Sequence, residues 1–252
     1  MIPVARGKRN KPRRRDPRGR RSHSAPSRLP PLARFGLRLL RVTALAALPF
    51  ALLVRGSVAT SRYLHAPGWL AVGLGGILCA ICLSLWGAWL WHRLTGRRRS
   101  RAIALRLALP LVFAFSVYTL GWLSHANAKS PAVRERWSDL HPSLRIAIGT
   151  AGLADRDFVV TEIGREGSDY DRMGLRRVRN SLHYTQPDGW VHAVDLRTRG
   201  HSELRNFLLG LYYQAMGFDT LRHKGTADHL HVSLPRSWSV PSLNLPSRFV
   251  DE

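Results

Sequence analysis

The chain has 252 residues, with 39 Lys and Arg against 16 Asp and Glu, for a formal net charge of +23. That length holds one or two domains, and such a charge points to nucleic acid or an anionic lipid surface as partner. The two cysteines, Cys79 and Cys82, lie inside an apolar run; this excludes a disulfide framework and makes packing the expected role of the pair.

Residues 1–34 are dense in basic side chains, among them Lys8, Arg9, Lys11, Arg13, Arg14 and Arg15, with Asp16 the sole acid. Pro, Ser and Gly fill the gaps, so no core can form and disorder is expected. The arm stands just before an apolar run. That position favours a cytoplasmic topology signal touching anionic lipid over a nucleic-acid binder. It also lacks the interleaved aromatics on which bases stack.

Three apolar segments follow, at 35–54, 69–91 and 102–122. The first lacks charge only over Val42–Val54 and spans by recruiting Phe35–Leu40, with Arg38 and Arg41 snorkelling to the interface. The second, Trp69–Trp91, carries no charge and has tryptophans at its ends, as an interfacial belt requires. The third has Arg106 near one end and Trp122 at the other. The link His92–Arg101 holds five arginines and no acid, which predicts a cytoplasmic loop. The chain beyond Trp122 then lies outside the cytoplasm. A multi-pass protein of the cell (inner) membrane is expected, with its C-terminal part on the periplasmic or extracellular side. The helices carry no polar constellation of a transporter and read as an anchor.

After a short linker, Ser124–Pro131, a second domain is expected over 132–252. Pro142 suits the first turn of a helix running through Ile148. Phe158–Ile163 and Val191–Leu196 read as strands. Glu166–Ser181 reads as loop with some helix. Ser202 is the N-cap of an amphipathic helix ending at Gly217, with Leu204, Phe207, Leu208, Leu211 and Tyr212 as its apolar stripe. Phe218–Leu221 and His229–Leu234 read as paired strands, and a proline-rich end, Pro235–Pro246, follows. Interleaved helices and strands around a small antiparallel sheet make an α+β domain.

The last of these strands carries the chemistry. Leu230, Val232 and Leu234 fall on one face at period two, and His229, His231 and Ser233 on the other. Two imidazoles aimed the same way suit a metal. The plainer account is a half-exposed edge strand.

Upstream, Ser181-x-His183-Tyr184, then Gly189, then Ala193-Val194-Asp195-Leu196 resembles the SxHxxGxAxD signature of the M15 peptidases. These are zinc D-Ala-D-Ala carboxypeptidases and related peptidoglycan endopeptidases, grouped with lysostaphin-type enzymes and hedgehog domains. Asp228-His229-Leu230-His231-Val232 resembles that family's closing motif. The resemblance covers roughly 140–234 and none of the membrane part. It implies a hedgehog/D-Ala-D-Ala-peptidase-like fold, a Zn2+ ion held by His183, Asp195 and His231, and peptidoglycan peptides as partners. It makes Asp228 the general base and His229 a neighbour assisting proton transfer. Arg165 matches the arginine that binds substrate in relatives.

One departure stands out. Eleven residues separate His183 from Asp195, more than the signature allows, and they include the turn Gln186-Pro187-Asp188-Gly189. A surface loop inserts at small entropic cost. Asp188 is an alternative ligand; Asp195 is preferred for its Ala-Val-Asp-Leu context and its place on a strand. His192 has the wrong parity to join Asp195. Arg197 and Arg199 are within reach of Asp195 as ion-pair partners. Two functions compete: a membrane-anchored zinc peptidase, and a catalytically inactive, metal-stabilised binding module of the same fold.

Overall fold

The computed structural model describes residues 30–97, 100–155, 157–172, 174, 180–225 and 228–235. Most of the basic arm and the proline-rich end beyond Pro235 lie outside them. The chain divides into two compact units, Met1–Arg41 and Val42–Glu252. Of the first, the described residues are the opening turns of a helix; the packing below concerns the second.

The first apolar segment lies in helix α1 (Pro31–Leu64), which runs past the expected end at Val54. Ser57 and Thr60 turn their hydroxyls back onto helix carbonyls, Ser57 Oγ donating to Val54 at 2.8 Å, so these polar residues do not break it. Pro67 follows its end, and α2 (Gly68–Thr95) carries the second segment. The third is not uniform. A short α3 (Ser100–Ile103) and a π-helical turn (Ala104–Ala108) precede α4 (Leu109–Leu120). Pro110 has no amide proton to give to the ladder, and the π turn stands just before it. Among the described residues, three helices are long and apolar enough to cross a membrane: Pro31–Leu64, Gly68–Thr95 and Arg101–Leu120.

Beyond them come α5 (Pro131–Glu135), a 3₁₀ turn (Arg136–Asp139), α6 (Pro142–Ala154), β1 (Val160–Glu162), α7 (Gly167–Arg172), β2 (Ala193–Arg197), α8 (Glu203–Met216), β3 (Asp219–His223) and β4 (His229–Ser233). The strands form an antiparallel sheet in the order β1-β2-β4-β3. This is a helix-rich protein with a small antiparallel sheet. The expected helices and strands of the C-terminal part are present; strand ends move by a residue or two, and α6 runs on to Ala154.

Packing does not pause between spans and sheet. Leu53, Val54 and Val58 of α1 belong to the same buried cluster as Leu144 and Ile148 of α6, Val194 and Leu196 of β2, and Val232 of β4. The end of α4 is fixed by side chains from beyond it: Trp137 Nε1 and Arg145 Nη2 both donate to the Leu120 carbonyl at 2.6 Å. These donors satisfy a carbonyl the helix itself leaves open.

The apolar stripe of α8 does not face the core. Leu204, Phe207, Leu208 and Leu211 are 67%, 65%, 51% and 47% exposed, while Asn206 and Tyr213 are buried. Tyr212 alone of the stripe turns inward, its hydroxyl donating to the Ala147 carbonyl at 2.9 Å. Ser202 caps the helix as expected, and Gly217 ends it with φ of 97°, a conformation that favours glycine.

Candidate metal centre

The sheet has a helix-covered face and an open one. Val194, Leu196, Leu230 and Val232 point to the first and are buried. On the other, strand register sets four residues in a row: Glu162, Asp195, His231 and Leu221. Arg197, His229 and His223 form the row beside it.

A β-bulge makes the first of these rows. Val160 pairs with Leu196, but Glu162 pairs with Asp195, so the register shifts between them. Without the extra residue Glu162 would oppose Val194. The bulge re-aims the chain that follows, and Thr161 Oγ1 pins it by donating to the Asp195 carbonyl at 3.0 Å. Arg165 is thereby brought to the site. Its guanidinium donates to both Glu162 oxygens at 2.6 Å and to Asp195 Oδ2 at 3.2 Å.

His183 arrives on the loop before β2. The Arg165 amide donates to the His183 carbonyl at 3.0 Å, and His183 Nδ1 lies 2.7 Å from the Ile163 carbonyl. A carbonyl only accepts, so Nδ1 carries the proton and Nε2 keeps its lone pair. That Nε2 is 3.2 Å from His231 Nδ1 and 3.4 Å from Asp195 Oδ1, and His231 Nδ1 is 2.9 Å from the same oxygen.

These three atoms form a triangle whose size is informative. A tetrahedral zinc with bonds of 2.0–2.1 Å spaces its ligands by about 3.3 Å. The observed edges bracket that value. His183 Nε2 and Asp195 Oδ1 both offer lone pairs to one space, which either a proton on His231 Nδ1 or a metal cation fills. Two imidazoles with a carboxylate are a donor set that metals such as zinc accept. Burial disfavours the charge on Asp195, but the imidazoles of His183, His231 and His229 outweigh it and hold the carboxyl far below its usual range.

A second group, His141, Asp188 and His192, is also close enough to share an ion. Its tautomers argue otherwise. The Ser143 amide donates to His141 Nδ1 at 3.2 Å, so the neutral ring carries its proton on Nε2. His192 Nε2 meets Asp188 Oδ2 at 2.8 Å, an ordinary hydrogen bond. Asp188 therefore has a partner of its own and does not stand at His183.

The extra residues between His183 and Asp195 form a closed excursion. The Gln186 amide donates to Trp190 at 2.8 Å, Gly189 to Gln186 at 2.9 Å, and His192 to Leu182 at 3.0 Å. Gly189, with φ of 84°, takes the left-handed position of the turn. Chain enters and leaves at nearly one point, so the ligands stay together.

The chain matches no family model, no curated protein and no solved structure. The site therefore rests on its own geometry. That geometry gathers His183, Asp195 and His231, with Arg165 tied to Asp195 and His229 Nε2 at 3.7 Å from Asp195 Oδ2. Asp228 has other partners: Arg222 Nη2 at 2.9 Å and Thr198 Oγ1 at 2.6 Å. Those hydrogen bonds, from Arg222 first, lower its carboxyl to about 2. Arg165, rather than Arg197 or Arg199, is the guanidinium at Asp195. Glu162 and His223 were missed by the sequence. His223 stacks on His229 with ring centroids 4.7 Å apart, and pairing β3 with β4 at period two would have found it.

Proposed function

We propose that the chain is a membrane-anchored zinc peptidase acting on D-amino-acid-containing bonds of peptidoglycan stem peptides, as the M15 carboxypeptidases and endopeptidases do. The observation that carries the proposal is the His183 Nε2–Asp195 Oδ1–His231 Nδ1 triangle, with His183 locked in the metal-binding tautomer. The three residues of the sequence motif are among those the fold gathers closely enough to share an ion. The hedgehog/peptidase-like fold and a C-terminal part outside the cytoplasm belong to the same proposal; the arginine-rich link between α2 and α3 supports that side.

A zinc ion bound there supplies Lewis acidity toward a peptide carbonyl and an attacking water. The chain's own groups do the rest. Arg165, braced by Glu162, offers a cation to a substrate carboxylate. His229 stands nearest the cluster as a proton carrier. Asp228 is the base that the resemblance names, and it accepts a proton only after leaving Arg222. Leu221, exposed beside His231 in the same row, offers an apolar contact to a substrate side chain.

The Asp228–Arg222 ion pair favours a second reading, a metal-stabilised binding module without hydrolysis. Incubating the full-length protein in lipid nanodiscs with zinc and peptidoglycan stem peptides separates the two. Release of D-alanine or of cleaved cross-links, abolished by His183→Ala, supports the peptidase. Peptide binding without cleavage supports the module.

A further inference from the structure

The outward stripe of α8 belongs neither to the metal site nor to the core. Leu204, Phe207, Leu208 and Leu211 recur at the spacing of one helix face, and each is about half or more exposed. The opposite face buries Asn206 and Tyr213. A helix at the surface of a water-soluble domain turns its apolar stripe inward; this one does the reverse.

Its surroundings name what covers it. The last turn of α8 is attached to the spans. Arg55 Nη1 donates to the Ala215 carbonyl at 2.7 Å, and Arg55 is the first charge after the Val42–Val54 run. Gly217 lies against Val58. One turn back, Tyr212 and Met216 line a cavity of about 360 Å³ together with Ala47, Phe50, Ala51 and Val54 of α1 and Phe115 of α4. At 1.5 Å per residue, Phe50 lies roughly 12 Å deeper along α1 than Val58. From its C-terminal end, then, α8 leads toward the apolar part of the spans. Leu45 and Leu48 of α1 and Phe113 of α4 are exposed there as well.

We propose that α8 is an interfacial helix, lying in the membrane–water boundary with Leu204, Phe207, Leu208 and Leu211 in lipid. Such helices bind by the apolar area they bury at the headgroup level. The consequence is orientation. Phe207 and Leu211 share a groove with Leu230 on the helix-covered face of the sheet, so the face carrying Asp195 and His231 is turned away from the bilayer and toward water.

The test uses the full-length chain in phosphatidylethanolamine–phosphatidylglycerol vesicles. Cys79→Ala and Cys82→Ala remove the native thiols of α2, and single cysteines at 204, 207, 208 and 211 carry a nitroxide. Controls sit at Gln214 and Arg197. Collision with oxygen, which favours lipid, is compared with collision with a water-soluble nickel chelate. The proposal expects an oxygen-to-nickel ratio severalfold higher at the four stripe positions than at the controls. Ratios equal to the controls would overturn it, leaving the stripe in water. Low access to both reagents would also overturn it: density-dependent dipolar broadening would assign the stripe to a second copy, and access restored by deleting residues 236–252 would assign it to the chain's own end.

Discussion

His183 Nδ1 lies 2.7 Å from the carbonyl oxygen of Ile163, and this contact distinguishes the two histidine clusters that could hold a metal. It fixes the proton on Nδ1 and aims the Nε2 lone pair at Asp195 and His231. A hydrogen bond to the far nitrogen of an imidazole orients the ring and sets its tautomer. At His141 the corresponding nitrogen accepts from an amide instead. Long-range nitrogen–proton NMR of the histidine rings is expected to show the Nδ1–H form at His183 and the Nε2–H form at His141. The reverse pattern would remove the ground for preferring the first cluster.

Asp188→Ala is expected to keep the metal and to cost about 1 kcal/mol or less, the usual range for a partly exposed pair. Its carboxylate serves His192, in a loop whose ends are held by their own hydrogen bonds. Thermal unfolding together with metal analysis checks both halves of the statement. Metal loss would return Asp188 to the ligand set.

Asp228→Ala addresses the proton carrier. In the peptidase proposal it leaves metal bound and lowers hydrolysis by about 10²–10⁴-fold, the usual contribution of a general base. His229→Ala is expected to fall in the same range, because its ring stands beside Asp195. Measured rates and zinc content give the answer. An Asp228→Ala protein that hydrolyses normally but unfolds sooner would confine Asp228 to its pairing with Arg222.

His141 predicts a pH response. Burial, followed by repulsion from His192, lowers its imidazole from 6.5 to about 4. The folded state therefore resists a proton that the unfolded chain accepts. Stability is full above about pH 6.5 and falls as pH drops toward 4, by about 3 kcal/mol for such a shift. Unfolding midpoints at pH 7 and pH 4.5 measure the fall, and His141→Asn should flatten it. An equal slope in the variant would assign the loss to other groups.

The ligand strands were legible because period-two alternation states which side chains share a face. Leu230 and Val232 are buried and His231 between them is half-buried, as that period requires. Asp195 was legible from its Ala-Val-Asp-Leu context. Glu162 was not, because a bulge reverses parity and nothing in Val-Thr-Glu announces one. The α8 stripe was half legible. Periodicity located its apolar side, but amphipathic patterning does not say whether that side meets a core or a lipid surface. The cavity that Tyr212 and Met216 line together with Phe50 and Phe115 is what favours lipid.

The most direct test is metal content. The full-length protein, purified without chelator in nanodiscs, is compared with His183→Ala, Asp195→Ala and His231→Ala. Near one zinc per chain in the parent, lost in each variant while the fold persists, is the predicted result. A folded parent that binds no zinc, or variants that bind it as well as the parent does, would contradict the metal centre and the peptidase proposal built on it.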